Sequence, residues 1–149
     1  GEVTRAVEID LAPLLEDEFV CLLRAGHPAL RGRLTKRRVL ALEHVLVAPR
    51  GEPVGVVDRL LAERGETRRV ARTVSSFLVA PALVASTDYV VTISRRVAAR
   101  VADVHGLAVR KAPIAPEGFT IRLAWQRRAD GDPAHRWLRE RLLALAATL

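Results

Sequence analysis

The sequence has no methionine and a single cysteine, Cys21, in 149 residues. One thiol excludes an internal disulfide framework. Cys21 lies within Phe19-Val20-Cys21-Leu22-Leu23, where a small buried hydrophobe is expected rather than a nucleophile. Aromatic residues make up only 4%, so the core must be built from Val, Leu, Ala and Ile. No apolar run approaches the roughly 18 residues of a membrane span. Gly1-Glu2-Val3-Thr4-Arg5 opens without an apolar h-region, so no signal peptide is read and a cytoplasmic location is expected. A chain that lacks methionine and begins at glycine is expected to be a piece of a longer one.

Lysine is also scarce. Of 24 basic residues only Lys36 and Lys111 are lysine, against a net charge of +7. Such a charge invites a nucleic-acid reading. The arginines are dispersed, however, as Arg31, Arg33, Arg37 and Arg38, then Arg68, Arg69 and Arg72, then Arg95, Arg96 and Arg100. No base-stacking aromatics alternate with them, and no zinc-finger or RNA-recognition signature is present. The arginine excess reads as composition, and a basic face on DNA is the secondary reading.

Catalytic signatures are missing too. There is no Gly-x-Ser-x-Gly elbow, no glycine-rich phosphate loop with lysine, and no His-Glu-x-x-His. Glu16-Asp17-Glu18 reads as a solvated turn, and His44, His105 and His135 fall at expected surface or element-end positions. His27 has no second ligand at metal spacing, and Pro28 pushes it into an extended conformation. No enzyme, metal or cofactor is expected.

What is present is a strongly patterned chain of alternating strands and helices. Val3–Ile9 alternates as a strand, and Leu11–Leu15 reads as a turn. Glu18–Arg24 is a buried strand. Lys36–Leu42 is a helix capped by Thr35, and Glu43–Ala48 a strand. Pro49–Pro53 is a loop, Val54–Arg64 a helix stopped by Gly65, and Arg69–Val74 a strand. Asp88–Ser94 is too apolar for an edge strand and is expected to be buried on both faces. Ser94 caps a helix through Val104, with Val97, Val101 and Val104 on one face. Leu107–Ala112 and Phe119–Gln126 are strands. Asp132-Pro133 opens a last helix, whose Leu138, Leu142, Leu145 and Leu149 form an amphipathic stripe. This order predicts an α/β layered fold with a largely parallel sheet and helices on both faces.

The chain is organised around Thr73–Asp88. A strand end stops at hydroxyls, and an almost wholly apolar segment follows. As a helix it would be buried on all sides, opening at Ser75-Ser76 and either kinked by Pro81 or started near it. A strand that ends at a helix start is where open α/β sheets hold ligands. A plain cap on a core helix explains the same serines.

Several segments together resemble one family. Phe19–Pro28, with its Gly26-His27-Pro28 turn, is similar to the first crossing strand of the effector-binding domain of LysR-type transcriptional regulators. Glu43-His44-Val45 with Gly55-Val56-Val57-Asp58 resembles its next strand and helix. Ser76-Phe77 to Pro81, Ser86-Thr87-Asp88 and Arg95-Arg96-Val97-Ala98 resemble the elements behind its ligand cleft. Leu123-Ala124-Trp125 with Asp132–Arg139 resembles the return strand and last helix, the most specific match. The branch with aromatic effectors is the most similar. Ser94 stands where the family often has Pro, and Gln126 where this branch often has His.

The resemblance implies a periplasmic-binding-protein-like (type 2) fold with a small effector, aromatic or acidic, held between two lobes. It implies residues 1–19 as a flanking piece of subdomain I, 20–115 as subdomain II, and 116–149 as the return strand and C-terminal helix of subdomain I. Thr73, Ser75, Ser76 and Phe77 match the position where strand end and helix start face the cleft. Arg50, Gly51 and Thr92 lie at predicted strand ends on the same rim. The implied partners are the effector and further copies of the protein, as dimer or tetramer. DNA would be reached only through a missing N-terminal winged helix-turn-helix, and no membrane is implied. A solute-binding protein of the same fold, or an oligomerisation module without its own ligand, are the alternatives.

Overall fold

The computed structural model describes residues 8–149. The chain divides into two compact units, one formed by the chain up to Asp17 with Gly118–Leu149, the other by Glu18–Glu117.

The first unit pairs β1 (Ile9–Asp17) antiparallel with β7 (Phe119–Gln126) and adds the helix α5 (Pro133–Ala146). Most of the expected Val3–Ile9 strand lies outside the described residues. The expected turn at Leu11–Leu15 is instead part of β1. Pro13 cannot donate to a ladder, and a register shift between Pro13 and Leu15 accommodates it, so the strand continues through a bulge. Asp132 caps α5, its carboxylate accepting from the Ala134 and His135 amides, with Pro133 in the first turn. Leu138, Leu145 and Leu149 of the apolar stripe are exposed, as is Trp137.

The second unit is a five-stranded sheet in the order β4–β3–β5–β2–β6. Its strands are β2 (Phe19–Arg24), β3 (Glu43–Val47), β4 (Arg69–Val74), β5 (Val90–Ser94) and β6 (Leu107–Lys111). β3 runs parallel to β4 and β5, while β2 runs antiparallel to β5 and β6. One strand therefore opposes the rest, and the sheet is largely parallel as expected. β5 lies between β3 and β2, which is why Val90, Val91 and Ile93 are buried.

Each face of the sheet carries its own core. On one face, Val20, Leu22, Val45, Val91 and Ile93 pack with α3 (Val79–Ala85) and α4 (Arg95–His105). On the other, Cys21, Leu23 and Val90 pack with α1 (Lys36–Leu40), α2 (Val56–Ala62) and Ile114. The alternation of strand side chains sends odd and even residues of β2 to opposite cores. Each such Leu or Val contributes about 1.5–3 kcal/mol by leaving water.

Thr35 caps α1, accepting from the Arg38 amide. Ser94 caps α4 by accepting from the Val97 amide, and Gly106 ends it with φ +61. α4 faces the sheet through Ala98, Val101 and Ala102, not through Val104, which is 80% exposed. Val104 sits six residues beyond Ala98, roughly 120° around the helix from it, so the i+3 spacing from Val101 carries it off the sheet.

His44 is not a surface residue: it is wholly buried on β3. Its Nε2 lies 2.9 Å from the Val39 carbonyl, to which it donates. His27 is buried too and has the structural role expected of it. Its Nδ1 accepts from the Ala29 amide, and Nε2 lies 3.0 Å from the Asp88 carbonyl.

Candidate functional site

The parallel strands β3, β4 and β5 end together on one rim of the sheet. Leu46 is opposite Thr73 and Val47 opposite Val74, and the Ala48 amide then bonds the Val74 carbonyl at 2.8 Å. The carboxyl rim of an open α/β sheet is where backbone groups and connecting loops are free to form a ligand site.

From β4 the chain leaves through Ser75, Ser76 and Phe77. The helix does not start at these serines. It starts at Val79, after a turn in which the Ser76 hydroxyl accepts from the Leu78 amide at 3.1 Å. The Ser76 carbonyl accepts from the Val79 and Ala80 amides. Pro81 explains the shift. A helix from Ser76 would require the Pro81 nitrogen to donate to the Phe77 carbonyl, which it cannot do. Starting at Val79 puts Pro81 in the first turn, where no donor is needed.

Nor is the helix buried on all sides. Ala80, Pro81 and Val84 face the core, while Phe77, Leu78 and Val79 are 41%, 71% and 52% exposed. The rim therefore presents a contiguous apolar patch beside the two serines. Ser75 is exposed and Ser76 half-buried.

Thr73 and Thr92 lie on the α1–α2 face of the sheet. Thr92 is opposite Cys21, and the two side chains are 3.7 Å apart. Thr73 is opposite Leu46, whose side chain reaches the start of α2. Phe77 leads instead into α3 on the other face. The candidates thus ring the strand ends rather than forming one cluster. Burial pushes the Cys21 thiol up to about 11, so it is protonated and inert at neutral pH.

Arg50 and Gly51 lie in the loop after β3. Gly51 has φ +75, and its amide bonds the Ala48 carbonyl at 2.9 Å, which makes the tight turn away from the rim. The Arg50 guanidinium is 2.6 Å from the Glu52 carboxylate. That hydrogen bond, the first cause of the shift, holds the Glu52 carboxyl below its usual range. Arg50 is therefore paired within its own loop.

One group of rim residues was missed as such in the sequence. Asp58 receives the Gly55 amide at 2.7 Å and clasps Arg68 through two contacts, at 2.6 and 3.0 Å. The Arg68 side chain is only 3% exposed. Burial raises the Asp58 carboxyl, but the Arg68 and Gly55 hydrogen bonds outweigh it, and the net shift is downward. A Cβ on Gly55 would come within 2.8 Å of Leu46 Cδ1 and 3.1 Å of Asp58 Oδ2, so the position has no room for a side chain. The signal was in the Gly55-Val56-Val57-Asp58 spacing, a helix start with an acid at its third position. The clasp fixes the start of α2 at the rim. Burial, and then the Arg68 charge, pull the nearby His44 imidazole down to about 4.

A largely parallel sheet, covered by helices on both faces and open at its carboxyl rim, is the lobe of a type 2 periplasmic-binding-protein-like fold. The chain belongs to the family of LysR substrate binding domains, which matches residues 2–147. It is 38% identical over 136 residues to the transcriptional regulator SyrM of Rhizobium meliloti, spanning 91% of this chain and 42% of SyrM. A probable transcriptional regulator of Pseudomonas aeruginosa shares 36% identity at a TM-score of 0.84, with 95% of this chain and 47% of that one covered. The effector binding domain of QuiR, solved with shikimate, has the same fold at 15% identity and a TM-score of 0.75, with 99% of this chain and 69% of that one covered. The chain thus spans less than half the length of SyrM.

Proposed function

We propose that this chain senses a small effector for a LysR-type DNA-binding regulator, and that the effector rests on the rim formed by Thr73, Ser75, Ser76, Phe77, Arg50, Gly51 and Thr92. The observation that carries the reading is the exposed patch Phe77–Leu78–Val79 at the ends of parallel strands, flanked by hydroxyls. Exposed apolar surface next to fixed polar groups is the composition of a ligand wall. A ring packs on Phe77 while phenol or carboxylate oxygens meet the serine and threonine hydroxyls. An acidic effector would also have to draw Arg50 away from Glu52. QuiR with shikimate supports this class, a small hydroxylated acid, for a protein of the same fold. In this proposal Glu18–Glu117 is the lobe that carries the effector site. DNA is contacted by a winged helix-turn-helix elsewhere in the regulator.

A thermal-shift series on the intact regulator with aromatic acids and phenols tests it. A ligand at a hundred times its Kd adds about 2.7 kcal/mol of stability. The shift should vanish in Ser76→Ala and Phe77→Ala while the unliganded melting temperature barely moves. A shift that survives both substitutions overturns the rim assignment.

A further inference from the structure

A concave site lies away from Ser75–Phe77, at the β2–β6 edge of the Glu18–Glu117 unit. It is a cleft of about 780 Å³ between the end of β6, the start of β2 and the stretch leading into α1. That volume suits a small molecule.

Its walls divide by chemistry. Phe19, Leu34, Pro113 and Pro116 give an apolar floor. Arg33 and Arg110 bring two guanidinium groups to the lining. Arg110, near the end of β6, is opposite Cys21 and so stands on the α1–α2 face with Leu34, while Lys111, opposite Val20, turns to the other face. Arg33 follows the Gly32 turn (φ +91), and its carbonyl is held by Arg38 Nη1 at 2.8 Å and the Thr35 amide at 3.1 Å. The backbone of Arg33 is thus fixed while its guanidinium is left to the cleft.

The charges do not cancel. Glu18, one of two carboxylates in the lining, is engaged by Arg95. Neither guanidinium has an acidic partner among the described residues, and Glu117 alone stands against them. An excess of positive charge over an apolar floor selects an anion that carries a hydrocarbon body.

We infer that this cleft binds a small organic carboxylate with an apolar body, separately from any effector on the Ser75–Phe77 rim. The carboxylate meets Arg33 and Arg110, and the body lies on Phe19 and the prolines. The site does not depend on the rim proposal.

Titration of the 149-residue chain with benzoate, followed by backbone amide NMR, tests the assignment. The expected result is a saturable shift of amides at Phe19, Leu34 and Ala112. Arg33→Gln with Arg110→Gln should weaken it about tenfold, because each removes a charge-assisted contact. Both positions are exposed, so the variant spectra should otherwise overlay the parent. Benzyl alcohol, which lacks the charge, should leave these amides still. Inorganic sulfate should displace benzoate only weakly. Shifts confined to Ser75–Leu78 would overturn the cleft and leave the rim proposal standing. Shifts at the cleft that ignore the double variant, or equal binding of sulfate, would also overturn it.

Discussion

His44 makes the second unit acid-sensitive in a defined window. The imidazole is fully buried on β3, donates to the Val39 carbonyl, and has no partner for Nδ1 among the described residues. Burial and the Arg68 charge lower it from 6.5 to about 4. The folded state therefore resists protonation that the unfolded chain accepts. A lowered histidine contributes its full stability above the unfolded value, and the contribution is lost as pH falls from about 6.5 towards 4. Linkage gives a loss of about 2 kcal/mol between pH 7 and pH 5, at about 1.4 kcal/mol per pH unit. Urea unfolding followed by circular dichroism at the two pH values measures it. His44→Gln has no titrating group, so the wild type should lose about 2 kcal/mol more than the variant over this interval. Asp58 is lowered as well, but its contribution is lost only as pH falls through the ordinary carboxylate range and beyond, outside this interval. Equal losses in wild type and His44→Gln, or an imidazole NMR titration of His44 centred near 6.5, would refute the reasoning.

Two further outcomes follow from the rim. Arg68→Met leaves the Asp58 carboxylate half-buried without its partner and should cost about 3 kcal/mol in urea unfolding, much of it recovered when Asp58→Asn is added. Gly55→Ala presses a methyl against Leu46 Cδ1 at 2.8 Å and should cost about 1–3 kcal/mol in the same assay, with the helical content of α2 retained.

Much of the fold was legible because its signals were local. The period-two and apolar runs located β2 to β7, and Thr35, Ser94 and Asp132 marked helix starts through a hydroxyl or carboxylate that the structure shows accepting backbone amides. The errors came from features that depend on tertiary placement. Pro13 looks like a turn residue until a bulge opposite β7 absorbs it. Val104 fits an apolar face by spacing, yet the sheet does not extend around the helix to meet it. The all-apolar Phe77–Ala85 segment reads as core, because sequence cannot show that only one side of α3 has a sheet to pack on. His44 has polar chemistry and a buried address, and nothing in its neighbours' identities reveals the Val39 carbonyl that accepts from it. At the rim, the serines and Phe77 were visible as a strand end before an apolar run. The Asp58–Arg68 clasp spans two elements and was not.

The pairing of β1 with β7 has a consequence for how the chain is assembled over time. Asp17 lies opposite Phe119, so those two strands cannot meet until everything between them has been synthesised and its ends brought together. Closing a flexible loop of roughly a hundred residues costs about 4 kcal/mol of chain entropy. A preformed Glu18–Glu117 unit removes most of that cost by holding its own ends in place. The central unit is thus the contiguous one and can condense first. The β1–β7 ribbon is the last seam to close and the first to open under partial denaturation, which hydrogen exchange would register as the earliest loss of protection in the molecule.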